Sequence, residues 1–212
     1  MKLYNYFRSS AAYRVRIALH LKGLAFDYIP VHLTKGEQRN AAYLALNAQA
    51  LVPTLVDDAV TLPQSLAIIE YLDERYPQPP LLPATPIERA RVRAIALAIA
   101  CDIHPLNNLR VLQYLTRTLA ASEDAKNAWY RHWVDTGLSA LEAQLAGNAA
   151  TGAFCHGNAP TLADICLVPQ LANARRFGIA LDTYPTLLRI DANCLQQAAF
   201  AAAAPEAQPD AA

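Results

Sequence analysis

Lysine is scarce in this chain, occurring only at Lys2, Lys22, Lys35 and Lys126. No Lys/Arg-rich run appears and the formal net charge is zero, so the electrostatic footprint that nucleic acid or an anionic membrane requires is missing. No apolar run approaches the ~20 residues needed to cross a bilayer, and no signal-peptide pattern precedes the first β-prone segment; the sequence reads as cytoplasmic. Cys101, Cys155, Cys166 and Cys194 form no CxxC pair, and His20, His32, His104, His132 and His156 show neither HExxH nor Cys/His metal spacing. Most of the cysteines are expected to be plain buried residues, and no metal is expected.

What remains is a chain of 212 residues, 54% hydrophobic, with ample material for one large or two small domains. Its positive charge is nearly all arginine, the residue suited to bidentate carboxylate recognition, although compositional bias in an alanine-rich chain explains the same fact. The stretch Phe7-Arg8-Ser9-Ser10-Ala11-Ala12-Tyr13-Arg14-Val15-Arg16-Ile17-Ala18-Leu19 is the most informative. It reads as a strand turning into a helix, with β-prone Lys2 to Tyr6, two serines able to cap, and Val15, Ala18, Leu19 and Lys22 at helical spacing. A hydroxyl at the positive end of such a helix lies among unpaired N–H groups. That arrangement holds an anion, and a thiolate is one candidate.

Further along, Gly23 stops the helix and Phe26 to Leu33 gives a second β-prone run. A short helix over Ala41 to Leu46 ends at Asn47. Val52 to Val56 then starts a strand at Pro53, where a cis peptide would turn the Val52 backbone outward. Asp57-Asp58 turns the chain into Ala59 to Leu62, and Gln64-Ser65 opens a helix. The proline-rich run Tyr76 to Pro86 is a linker. Beyond it the pattern is helical: Ile87 to about Leu119, Glu123 to Leu145, a helix with capping-box logic at Thr161 to Asp164, one after Tyr184-Pro185, and a loosely held tail from Ala201. The expected class is α+β, an N-terminal thioredoxin-like β-α-β-α-β-β-α domain over residues 1–78 followed by an all-α helical bundle over residues 86–212.

Four stretches carry a resemblance that covers essentially the whole chain: Arg8-Ser9-Ser10 with Arg14-Val15-Arg16-Ile17-Ala18-Leu19, then Leu51-Val52-Pro53-Thr54-Leu55, then Gln64-Ser65, and Leu167-Val168-Pro169-Gln170. The sequence resembles the cytosolic glutathione transferases of the zeta class, the group that includes maleylacetoacetate and maleylpyruvate isomerases. The Val-Pro and Gln-Ser elements are common to glutathione transferases, whereas the arginine-serine-serine stretch is more specific to zeta. The chain departs from the zeta pattern twice, with Ala11 where the family usually has a cysteine and Ala48 where a proline usually follows the asparagine. The first departure removes a thiol but not the chemistry, which in this family belongs to the glutathione sulfur.

The resemblance implies a glutathione-dependent cis–trans isomerase of a conjugated diacid, a homodimer with no nucleic-acid or membrane partner. Glutathione is an extended peptide with two carboxylates and a thiol. Val52, exposed by Pro53, would pair with its cysteinyl segment, and Gln64 and Ser65 would hold its γ-glutamyl carboxylate. Gln38 and Gln49 would lie near the glycyl end, and Ser9, with N–H groups near Ser10 and Ala11, would stabilise the sulfur as a thiolate. The substrate is a small dianion and needs fixed positive charge, for which Arg8, Arg110 and Arg176 are the candidates. His104 and Asn108, at i, i+4 spacing, would help bind glutathione or substrate, and Asp102 would reach glutathione's amine across a dimer interface. Each residue also has a plainer reading: Ser9 and Ser65 as caps, Arg110 as a helix-surface charge, His104 as a solvated side chain, Arg175 and Arg176 as cations at a helix end. By the resemblance, enzymes for maleylacetoacetate do not generally carry a basic residue at position 110. An added arginine there suits the shorter diacid maleylpyruvate, with gentisate breakdown as the setting. Maleylacetoacetate isomerisation, general conjugation of electrophiles and a non-catalytic module with the same fold are the rivals.

Overall fold

Strand β1 (Lys2–Asn5) runs into helix α1 (Ser10–Leu21) through a turn whose last residue, Ser9, is the helix N-cap. Ser9 Oγ accepts a hydrogen bond from Ala12 N at 3.2 Å, and Gly23, at φ +64°, ends the helix where only glycine enters the left-handed region without cost. The computed structural model describes residues 1–211 and divides the chain into two units, Met1–Leu81 with the C-terminal stretch from Leu195, and Leu82–Cys194.

In the first unit, β1 is followed by β2 (Asp27–Pro30), a short helix α2 (Ala41–Leu44), β3 (Thr54–Asp57), β4 (Val60–Pro63) and α3 (Ser65–Arg75). The sheet order is β2-β1-β3-β4, with β1 and β2 parallel and the other two pairings antiparallel. The expected β-α-β-α-β-β-α order is therefore present. Leu3 and Leu55 are opposite each other across β1 and β3, and with Val15, Leu19, Ile68 and Leu72 they are buried in the core. The β3 ladder begins at Thr54, two residues later than the expected strand start. Pro53 has no N–H to give to a ladder, and the Val52–Pro53 peptide is cis.

Two expectations fail at the C-terminus. The tail is not loosely held, and it does not group with the second unit. Helix α9 (Ala198–Ala203) packs against α1, with Phe200 and Ala203 fully buried. Tyr13 donates its hydroxyl to Phe200 O at 3.3 Å, and buried Arg16 donates from Nε to Ala203 O at 3.0 Å. Alanine-rich composition hides this from the sequence because the anchors are backbone carbonyls, which every residue has. The proline-rich linker is also tethered: Lys22 Nζ donates to Asp73 Oδ1, Tyr76 O and Pro79 O at 2.9, 2.6 and 2.9 Å.

In the second unit the expected single helix from Ile87 to Leu119 is broken. Helix α4 (Pro86–Leu97) passes into a π-helical turn (Ala98–Ile103) and a 3-10 turn (His104–Asn107) before α5 (Leu109–Arg117) starts afresh. Pro105 lacks the N–H that an α-helix needs there and its ring crowds the preceding turn. Asn108, with extended φ and ψ of −67° and 145°, caps the new helix by accepting from Arg110 N at 3.1 Å. Helix α6 (Glu123–Leu145) follows, and its Gly137 lets Ile103 approach so closely that a Cβ would lie 2.3 Å from Ile103 Cγ1. Helices α7 (Leu162–Arg176) and α8 (Pro185–Leu195) complete this unit.

The capping box at the start of α7 forms. Asp164, fully buried, accepts from Thr161 N and Oγ1, both at 2.8 Å, and from Cys155 N at 2.7 Å. Burial pushes its carboxyl above the ordinary range, opposed by those three hydrogen bonds. Cys155, Cys166 and Cys194 are buried and Cys101 is exposed, all of them free thiols. Among the described residues no helix is long and apolar enough to cross a membrane, and no three His, Cys, Asp or Glu residues gather as metal ligands.

Candidate active site

The β1–α1 turn places Ser9 half-exposed at the N-terminus of α1. Its capping bond uses an oxygen lone pair, since Ala12 N is the donor. The hydroxyl proton is therefore still available to donate outward, and capping and anion binding are compatible functions of one side chain. Ala11, second in the helix, has no intrahelical acceptor for its N–H, so a second donor accompanies Ser9 at the positive helix end. Ser10 is buried, whereas Arg8 is exposed with its Cζ 4.9 Å above the Phe7 ring. The arginine is held beside the serine and pairs with no carboxylate among the described residues.

A second group forms where α3 begins. Gln64 sits at φ +71° and ψ 113° and Ser65 follows as the first helical residue. Gln64 Nε2 donates to Gln49 Oε1 at 2.9 Å, so two candidates fifteen positions apart share one exposed patch. Val52 lies outside the β3 ladder just before the cis peptide, where its backbone can serve an added strand. Gln38, in the short 3-10 turn Glu37–Arg39, has its Oε1 buried with no partner among the described residues, an acceptor suited to an amide N–H. An extended peptide bearing carboxylates and a thiol fits this set. It has helix-end donors for anions, free strand backbone and an orphaned amide acceptor.

Three supporting residues were not among the site candidates that the sequence offered. Arg14, buried in α1, donates from Nη1 to Ser65 Oγ at 3.3 Å, bringing a guanidinium to the start of α3. Asn47 shapes the loop that carries Gln49 and Val52: its Nδ2 donates to Leu51 O and Thr54 Oγ1 at 2.9 and 3.0 Å, and its Oδ1 accepts from Gln49 N at 3.0 Å. Tyr43 contacts Thr54 Oγ1 at 2.9 Å beneath the same loop. Their signals were weak, a buried-looking arginine within a helix and an asparagine at a helix end.

His104 and Asn108 do not share one continuous helix face, because Asn108 is a cap after a 3-10 turn. The turn nonetheless sets Asn108 Nδ2 3.4 Å from His104 Nε2. Arg110 and Asp102 are exposed. Arg175 and Arg176 divide clearly: Arg175 Nη2 donates to Asp191 Oδ2 at 2.6 Å, an ion pair with a carboxylate that is almost fully buried. Arg176 Nη2 donates to Asn173 Oδ1 at 2.7 Å and its Cζ lies 4.6 Å over the Phe177 ring, which stacks at 4.0 Å on Tyr130. Burial raises the Tyr130 hydroxyl pKa, and the Arg176 charge works the other way.

Comparison with known proteins gives a consistent picture. A family model described as glutathione S-transferase, N-terminal domain, matches residues 3–80, and one described as glutathione S-transferase, C-terminal domain, matches residues 112–197. A probable maleylacetoacetate isomerase from Vibrio cholerae is 54% identical over 99% of this chain and 97% of its own. A maleylpyruvate isomerase from a Ralstonia species is 51% identical over the full length of both. Among solved structures, a maleylacetoacetate isomerase from Methylobacterium extorquens AM1 with bound malonate and glutathione superposes with a TM-score of 0.96 at 42% identity, covering 99% of this chain and 98% of that one.

Proposed function

The chain belongs to the glutathione S-transferase family, within its zeta class, and from that premise we propose that it is a glutathione-dependent cis–trans isomerase converting maleylpyruvate to fumarylpyruvate. Bound glutathione supplies the nucleophilic sulfur, whose reversible addition to the alkene turns a double bond into a rotatable single bond. The chain's own residues bind, orient and stabilise. Gln64 and Ser65, at the positive end of α3, take the γ-glutamyl carboxylate; Val52 pairs with the cysteinyl backbone; Gln38 and Gln49 lie toward the glycyl end. Ser9 donates its hydroxyl proton toward the sulfur, with the N–H groups of the first α1 turn, and so favours the ionised thiol.

Arg8 faces the charge that develops on the substrate's carbonyl oxygen or carboxylate, and stacking on Phe7 keeps it extended. Arg110 and Arg176 serve the diacid's carboxylates, with His104 and Asn108 assisting in glutathione or substrate binding. Asp102 takes glutathione's amine across a dimer interface. Family membership supports a homodimer in the cytoplasm, and gentisate breakdown is the setting for this substrate.

The choice between the two maleyl diacids rests on one observation, the basic side chain at Arg110. The relatives bear both names, so overall identity does not separate them. Comparing kcat/KM on maleylpyruvate and maleylacetoacetate, with glutathione saturating, tests the choice. A clear preference for maleylacetoacetate overturns it, and turnover of neither diacid overturns isomerisation itself in favour of general conjugation.

A further inference from the structure

The turn that carries Arg8 and Ser9 is not held by the sheet. Strand β1 ends at Asn5, and both polar backbone groups of Phe7 are satisfied from elsewhere. Phe7 N donates to Asp210 Oδ2 at 3.2 Å, across 203 positions of sequence. Phe7 O accepts from Arg16 Nη2 at 3.0 Å. Arg16 is fully buried and each of its three nitrogens donates here: beside the Nη2 bond to Phe7 O, Nη1 donates to Asn5 Oδ1 at 3.0 Å and to Tyr6 O at 3.4 Å, and Nε donates to Ala203 O at 3.0 Å. The other oxygen of Asp210 accepts from the Tyr28 hydroxyl on β2. Gln208 folds the segment back on itself by donating to Ala202 O and Ala204 O at 2.9 and 2.8 Å. Ala211 packs on the apolar cluster Tyr6, Phe7, Val31, Tyr43 and Val52, which lies under the turn and also contains the residue assigned to the glutathione backbone.

We propose that the C-terminal segment from Ala203 to Ala211 is part of the positioning machinery of the thiolate site: Asp210 and Arg16, anchored by Tyr28 and Ala203, fix the Phe7–Ser9 turn from both of its backbone faces. Neither residue touches the reacting atoms, so both are positioning residues. The energetic reason is preorganisation. Ser9 stabilises a thiolate only if its hydroxyl stays aimed, and a misplacement of about 1 Å in a catalytic group costs about 10²-fold in rate. Loss of the Asp210 carboxylate leaves Phe7 N without its acceptor, one residue from Arg8 and two from Ser9. The assignment rests on the reading that glutathione's sulfur sits at Ser9.

The test compares the full-length protein with Asp210→Ala, Asp210→Glu, Tyr28→Phe and a chain ending at Pro209, each assayed well below its own melting temperature. Two quantities are read: the pKa of the bound glutathione thiol, from thiolate ultraviolet absorbance against pH, and kcat separately from KM for glutathione. The expected result is a raised thiol pKa in Asp210→Ala and in the shortened chain, with kcat reduced by roughly tenfold or more. KM for glutathione changes less, Tyr28→Phe shifts both readouts in the same direction to a smaller extent, and Asp210→Glu recovers part of the loss. Unchanged thiol pKa and kcat in Asp210→Ala, with only a lower melting temperature, overturn the proposal and make the segment a stabiliser alone. If Asp210→Ala and the shortened chain do not fold, Tyr28→Phe decides by the same two readouts. A wild-type protein that leaves the bound thiol at its free-solution pKa overturns the function as well as the positioning role, whereas wild-type depression that persists in every variant overturns the positioning role only.

Discussion

Gln64 donates through Nε2 to Gln49 Oε1 at 2.9 Å while its own backbone sits at φ +71°, a region that side chains other than glycine rarely enter. The strained residue is thus the one that opens α3 and presents an amide to the γ-glutamyl end of the proposed site. Backbone strain of this kind costs about 1–3 kcal/mol and persists where the surroundings over-determine it.

Replacing Gln64 with glycine should therefore separate stability from binding. Gln64→Gly is expected to raise unfolding free energy by about 1 kcal/mol and to weaken glutathione by about tenfold, as expected for losing a hydrogen bond to a charged group. Chemical denaturation and calorimetric titration check the two halves. A variant no more stable than wild type would remove the strain argument, and unchanged affinity would remove Gln64 from the site.

Ser9 combines a cap and a donor, and substitutions can part them. Ser9→Ala loses both, with an expected cost of about 1 kcal/mol in stability and about 10²-fold in kcat/KM, together with a raised pKa of the bound thiol. Ser9→Thr keeps both functions and should stay close to wild type. Ser9→Asp retains the cap but offers no proton and adds like charge, so it should fold normally and lose activity. An active Ser9→Asp enzyme would show that the residue is only a cap.

Arg110 and Arg176 are expected to act on substrate rather than on glutathione. Arg176→Met should raise KM for the diacid by an order of magnitude or more, as the loss of a charge-assisted pair does, with glutathione affinity unchanged. Arg110→Leu should depress kcat/KM for maleylpyruvate more than for maleylacetoacetate. Should glutathione affinity fall in Arg176→Met, the carboxylate assigned to that residue is the wrong one.

His20, in the last turn of α1 beside the Phe26 ring, has its pKa lowered from 6.5 by partial burial and secondarily by the Arg16 charge. The folded protein therefore binds fewer protons at this site than the unfolded chain between the two pKa values. Its contribution to stability is present above about pH 6.5 and is lost as pH falls through that window. The melting temperature should decline on the acid side, and His20→Gln should blunt that decline. Equal acid sensitivity in the variant would assign the effect to other groups.

Removing the Asp164 carboxylate should test the second unit alone. Asp164→Ala leaves Cys155 N and Thr161 N without acceptors in a dry interior, and a loss of about 2–4 kcal/mol follows from two unsatisfied buried donors. Denaturant unfolding measures it. A loss below about 1 kcal/mol would mean that water reaches those groups.

Much of this protein was legible because local physics leaves a local trace. Ser9 before an apolar periodic run marks a helix start, Gly23 marks its end, and Thr161 with Asp164 spells a capping box. All three behave in the structure as side-chain chemistry over three or four residues dictates. The break at His104–Asn108 was less legible, since one proline in a helical pattern does not say whether the helix bends, thins or restarts. The tail was illegible. Its alanines carry no pattern, and what holds it is Arg16 and Asp210 meeting backbone groups some two hundred residues away in sequence. The sequence by itself determined where elements begin and which side chains bear chemistry, because propensity and capping are properties of neighbours along the chain. Only the tertiary structure decided which of those chemical groups are held still, because a buried guanidinium or carboxylate takes its partners from wherever folding brings an unpaired N–H or carbonyl.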